Sequence, residues 1–115
     1  MALSDDGKSV MLTALAGDAV YVSLHTSDPG TDGSNEATGG SPAYARKSIT
    51  WSAASSGTLA ASNAPVFDVP AGTYAYFGLW SAATSGTFYG SGALSASETF
   101  AAQGTYTLDT TDVTL

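Results

Sequence analysis

Cysteine is absent from this 115-residue chain, histidine occurs once (His25), and only Lys8, Arg46 and Lys47 are basic. Each shortage removes a class of function. Without cysteine there is no disulfide to staple the fold and no thiolate to act as nucleophile or metal ligand, so stability has to come from packing, strand pairing or association with other subunits. A single imidazole leaves transition-metal sites short of ligands, and the ten acidic residues are scattered singly rather than paired for acid–base chemistry. A formal net charge of -7 argues against nucleic acid and anionic membranes as partners, since affinity for either rests on clustered Lys and Arg. No stretch approaches the roughly 18 apolar residues of a membrane span. The first residues, MALSDDGKS, place acid where a signal peptide carries positive charge, so the protein is expected to be made inside the cell without a signal peptide. No Gly-x-Ser-x-Gly elbow, His-Glu-x-x-His helix or phosphate-binding loop occurs. The chain is not expected to be an enzyme or to hold a cofactor.

What is present is Ser, Thr, Gly and Ala with only 11% charged residues, a composition of β structure rather than of disorder or a helical bundle. The expected fold is mainly β: a single antiparallel β-sandwich or jelly-roll-like domain at 18–115, preceded at 1–17 by an N-terminal arm and short helix. Ser4 caps that helix, Asp5 and Asp6 suit its positive end, Gly17 stops it, and Val10, Met11, Ala14 and Leu15 form its apolar stripe. After Gly17 the period changes to two, with Val20, Val22 and Leu24 facing one way and Tyr21, Ser23 and His25 the other. Further strands are expected at 43–51, 58–61, 65–69, 73–80, 87–94, 104–108 and near Val113. In the strand at 73–80, Tyr74, Tyr76 and Trp80 share one face, and Phe77 and Leu79 the other. The predicted core is Val10, Met11, Leu15, Val20, Val22, Leu24, Ile49, Trp51, Phe67, Phe77, Leu79 and Leu108. Trp51-Ser-Ala-Ala-Ser-Ser-Gly-Thr-Leu59 returns as Trp80-Ser-Ala-Ala-Thr-Ser-Gly-Thr-Phe88, which fits either two hairpins of one design or a chance match in low-complexity sequence.

The long polar loop at 26–42, TSDPGTDGSNEATGGSP, holds the candidate site residues. Loops of this length in small domains are commonly functional or mobile. Asp28, Asp32 and Glu36 offer oxygen ligands for calcium, but their four-residue spacing does not match an EF-hand, and solvated turn carboxylates are the simpler reading. Tyr44, Arg46 and Lys47 make the one basic spot on an acidic chain. Together with Asp28, Asp32 and Glu36 they are the candidate partner-binding residues, through an ion pair from Arg46 either to a neighbouring subunit or to the loop of its own chain. The segment Met1–Lys8 is a further candidate for contacts with neighbours. His25, at the start of the loop, is read as a hydrogen-bonding anchor whose titration makes loop order sensitive to pH.

Leu-Ser-Asp-Asp-Gly-Lys-Ser at 3–9, Tyr-Val-Ser-Leu-His-Thr-Ser-Asp-Pro-Gly at 21–30, Gly-Gly-Ser-Pro-Ala-Tyr-Ala-Arg-Lys at 39–47, Phe-Asp-Val-Pro-Ala-Gly at 67–72, Gly-Leu-Trp-Ser-Ala at 78–82 and Phe-Ala-Ala-Gln-Gly-Thr-Tyr at 100–106 form an ordered set spanning nearly the whole chain. That set resembles small structural virion proteins of actinobacterial phages and prophages, which carry the designations minor capsid or decoration, minor tail and tail fibre protein. The resemblance implies a non-enzymatic subunit of the particle, a final location in the virion, and other virion proteins, major capsid or tail, as partners, with homo-oligomerisation expected. Capsid decoration is the preferred role, because many weak copies clamped over a shell stabilise it by linkage and the chain has no long repetitive shaft. A minor tail or tail fibre protein is the first alternative and a carbohydrate-binding module the second.

Overall fold

A computed structural model describes residues 1–115. Helix α1 runs Asp5–Asp18, with the Ser4 hydroxyl accepting from the Gly7 amide at 3.1 Å and Asp5 and Asp6 in the first turn, as the N-terminal capping signals require. It does not stop at Gly17 but runs through it to Asp18, where the Ala19 amide bonds to the Leu15 carbonyl. Its buried side differs from the expected stripe: Leu12 is buried, whereas Val10 and Met11 are 72% and 52% exposed. Adjacent helical residues diverge by about 100°, so one narrow seam cannot hold 10, 11, 14 and 15 together. The helix packs on the strand at 58–60, and its covered side runs through Lys8, Leu12, Leu15 and the capping Ala19, spaced by four, three and four.

Eight strands follow: β1 Tyr21–His25, β2 Lys47–Ser48, β3 Thr58–Ala60, β4 Val66–Val69, β5 Gly72–Trp80, β6 Phe88–Phe100, β7 Gly104–Thr107 and β8 Asp112–Thr114. All pairings are antiparallel, in a four-stranded sheet ordered β2-β1-β5-β6 and two ribbons, β3-β8 and β4-β7. The chain is thus mainly β with one short helix. Val22, Leu24, Phe77, Leu79 and Leu94 of the large sheet pack with Phe67, Val69 and Tyr106 of the β4-β7 ribbon and with Ile49 and Leu108. Leu15 and Trp51 border this core, and Val20 is half-buried.

Three strand expectations change. The strand expected at 43–51 shrinks to Lys47–Ser48, because the Tyr44 amide turns to the Gly39 carbonyl and the Tyr44 and Arg46 side chains both reach Glu36. The strand expected at 87–94 continues to Phe100, but its register against β5 slips between Tyr74 and Tyr76 and again between Leu79 and Trp80. These bulges break up the outer edge of β6, which pairs with no strand other than β5, and so discourage edge-to-edge association. At the first slip Tyr74 leaves the face of Tyr76 and Trp80 and joins the core with Phe77 and Leu79.

Both copies of the sequence echo turn on a Ser-Gly pair with left-handed φ: 51° and 75° at Ser56-Gly57, 54° and 79° at Ser85-Gly86. Their closures differ. The first is a tight hairpin in which Ser55 and Thr58 exchange backbone hydrogen bonds, and the second is a wider loop tied by Ser81 to Thr87.

Candidate binding site

The large sheet has a second face, opposite the core, and the polar loop folds over it. Residues 26–35 leave β1 and return, closed by the Thr26 amide bonding to the Asn35 carbonyl at 3.1 Å; Glu36 and Ala37 then run beside His25 and Leu24 on the edge that β2 covers further along. Pro29 is fully buried within the loop. Gly33 reaches the sheet: a Cβ built there lies 2.5 Å from the Trp80 ring and 3.1 Å from Phe88, and its φ of 78° is itself unfavourable to other residues. The loop is therefore a fitted cover on an aromatic surface.

Two side-chain networks hold it. In the first, the Trp80 indole N–H donates to Ser23 Oγ at 2.8 Å, Ser23 Oγ lies 2.6 Å from His25 Nε2, and His25 Nδ1 lies 2.8 Å from the Ser34 carbonyl. A carbonyl only accepts, so Nδ1 carries the proton, Nε2 is the acceptor, and the Ser23 hydroxyl donates to it. The imidazole is thereby held neutral, and burial lowers its pKa, outweighing the backbone bond to Ser34 and the Glu36 charge. Gly78 makes room for the chain, since a Cβ there lies 2.6 Å from Ser23 Oγ and 2.7 Å from His25 Nε2. A Ser-His pair at this distance has the geometry of a nucleophile and its base, but both residues are fully buried and the serine oxygen receives the indole N–H.

In the second network Arg46 is bidentate to Glu36, Nε to Oε2 at 3.0 Å and Nη2 to Oε1 at 2.9 Å, while Nη1 donates to the Ala82 and Ser85 carbonyls at 3.0 and 2.8 Å. Its guanidinium carbon lies 3.5 Å from the centre of the Trp80 ring. Tyr44 completes the group, donating to Glu36 Oε2 at 2.9 Å and accepting from the Leu24 amide at 3.0 Å; burial, helped by the Glu36 charge, pushes its phenol well above the ordinary range. The Arg46 side chain is 8% exposed and that of Glu36 22%, so the ion pair is sheltered and ties loop 26–42 to the 81–87 loop across Trp80. At the outer end Gln103 accepts from the Ser41 amide and donates to the Pro42 carbonyl, both at 3.1 Å.

The six candidate residues thus divide. Glu36, Tyr44 and Arg46 meet in one cluster, where Arg46 takes the intramolecular partner. Asp28 and Asp32 stand exposed and serve their own turns, Asp28 accepting from Gly30 N at 2.9 Å and Asp32 from Ser34 N at 3.1 Å. The Ser34 hydroxyl and amide hold the Asp32 carboxyl below its ordinary value. Lys47 is half-buried in β2 with no ion pair. No three His, Asp or Glu side chains, the calcium candidates Asp28, Asp32 and Glu36 included, converge on a common point. Met1 to Leu3 are exposed, and Lys8 lies against Gly57. Sequence reasoning missed Trp80, Ser23 and Gln103; the alternation that sets Ser23 and His25 on one face of β1 was the signal for the first network.

A cavity of about 280 Å3 opens where the loops meet, lined by Glu36, Tyr44, Arg46, Thr84 and Ser85 among others. A small β domain whose charged residues fasten surface loops into a fixed relief, with its Ser-His pair sealed inside, has the form of a binding or structural subunit. Residues 8–115 match the family described as Podophage GP4 fiber I protein gp80, and the chain belongs to that family of phage structural proteins. No curated protein matches it. The family implies residence in the virion in association with other virion components. No helix is long and apolar enough to cross a membrane.

Proposed function

We propose that the protein is a tail fibre component that works by binding, with the clamped loops at 26–42 and 81–87 as its contact face. The match to a family described as a fibre protein carries this reading, and it favours the tail alternative over the capsid decoration preferred from sequence. A short subunit need not form a shaft; it can cap or join one. The exposed Asp28 and Asp32 touch the partner, and Glu36, Tyr44 and Arg46 hold the relief in shape; Lys47, opposite the core residue Val22 across the β1-β2 pair, lies on the other side of the sheet and takes no part. The motif resemblance supports an actinobacterial host, and a chain with no disulfide supports assembly with further copies. A carbohydrate-binding module is the weaker reading, because Trp80 lies beneath Arg46 and Tyr44 stacks on Phe67 at 6.1 Å, leaving neither ring as an open platform.

Immunogold electron microscopy of purified virions tests the location. Label confined to the tail or its fibres is expected; label spread over the head overturns the proposal and restores capsid decoration.

A further inference from the structure

The ten residues 26–35 are attached to the aromatic face by a hydrogen-bond chain with one fixed direction. Trp80 donates to Ser23, Ser23 to His25, and His25 to the Ser34 carbonyl. Adding a proton at Nε2 reverses the middle link: the nitrogen becomes a donor, and the Ser23 hydroxyl hydrogen loses its acceptor. No water reaches the site to compensate, since Ser23 and His25 are both fully buried. We propose that residues 26–35 are an acid-released cover over the Trp80–Phe88 face of the sheet, with His25 as the trigger.

The surroundings of His25 favour release over retention of the charged ring. Arg46 repels a second cation; Glu36 attracts it, but both Glu36 oxygens already bind Arg46 and one also binds Tyr44. From β5 the neighbours are Tyr76, its cross-strand partner, Gly78 and Trp80, and from β6 it is Phe88, with ring centroids 6.5 Å apart; none carries a negative charge. On the loop itself Asp28 and Asp32 are turned to Gly30 and Ser34. Moving the loop hydrates the imidazolium, and the main anchors it gives up nearby are the Ser34 bond and the Gly33 contact. The core on the other face of the sheet is untouched, so the opening is local. It uncovers the part of the Trp80 and Phe88 rings that Gly33 covers, the two rings being packed on each other at 5.0 Å.

Acrylamide quenching of Trp80 in a Trp51→Phe chain, read between about pH 8 and 5 with far-ultraviolet circular dichroism on the same samples, tests the proposal. Accessibility of Trp80 is expected to rise roughly twofold with no loss of β signal, and His25→Gln, which cannot gain a proton, is expected to stay flat. Because His25 is the only histidine, its ring resonances in the unmodified chain give the titration midpoint without any substitution. A Trp80 transition that tracks this midpoint supports the cover. The proposal is overturned if His25 titrates with Trp80 still shielded, or if Trp80 exposure coincides with global unfolding.

Discussion

The central carbon of the Arg46 guanidinium lies 3.5 Å from the centre of the Trp80 ring while its four hydrogen bonds go to Glu36, Ala82 and Ser85. One side chain thus joins two loops and a strand. Removing it with Arg46→Ala leaves a sheltered carboxylate without its partner and is expected to destabilise the fold by about 3 kcal/mol in denaturant unfolding. Arg46→Lys keeps the charge but loses the fork and the contact over the indole ring, and is expected to cost about 2 kcal/mol.

Gly33 and Gly78 mark the two sides of the fit between loop and sheet. Gly33→Ala combines a left-handed φ with a methyl 2.5 Å from Trp80, and about 2–4 kcal/mol of destabilisation is expected. Gly78→Ala forces Ser23 and His25 apart and is expected to cost about 1–3 kcal/mol, with a shift in Trp80 emission that Gly90→Ala, which meets nothing within 4 Å, does not produce.

Stability is expected to depend on pH through His25. Its folded pKa lies below the ordinary value of about 6.5, so between those two values the unfolded chain holds more protons than the folded one. The contribution is complete above that ordinary value, falls as the pH drops below it, and levels off once the folded pKa is passed. Denaturant midpoints measured across this range are expected to slope down towards acid in the native chain and to be level in His25→Gln. The Asp32 contribution is lost only lower, as the pH falls below the ordinary carboxylate range and through its depressed value, so the two steps separate.

Gln103 tests the outer clamp. Gln103→Ala removes two exposed hydrogen bonds to the Ser41–Pro42 segment, and a loss of about 1 kcal/mol is expected, with loop mobility rising at 39–43 but not at 26–35.

The β1 strand, the helix cap and most of the later strands are legible in the sequence because alternation, capping residues and turn residues act within a few positions of one another. The seam of α1 was misread because Val10 and Met11 are as apolar as Leu12; only packing against β3 selects the side that faces inward. Arg46 posed a different difficulty. Spacing showed an acidic loop and a basic residue nearby, and left a neighbour and the same chain equally open as partners; the choice depends on Trp80, brought under Arg46 by the β1-β5 pairing. The polar composition of 26–42 leaves a functional and a mobile loop both open; its Gly, Pro and Asp residues build tight turns that let the backbone reach an aromatic face.

That the polar loop is a fixed cover rather than a free loop is most directly tested by amide hydrogen exchange at neutral pH. The amides of Thr26, Gly33, Ser34 and Ala37, each bonded to a backbone carbonyl, are expected to exchange far more slowly than those of the exposed Ser95, Ala96 and Ser97, and to lose that protection in Arg46→Ala. Exchange in the native chain as fast as at residues 95–97 would contradict the clamped surface on which the binding face is built.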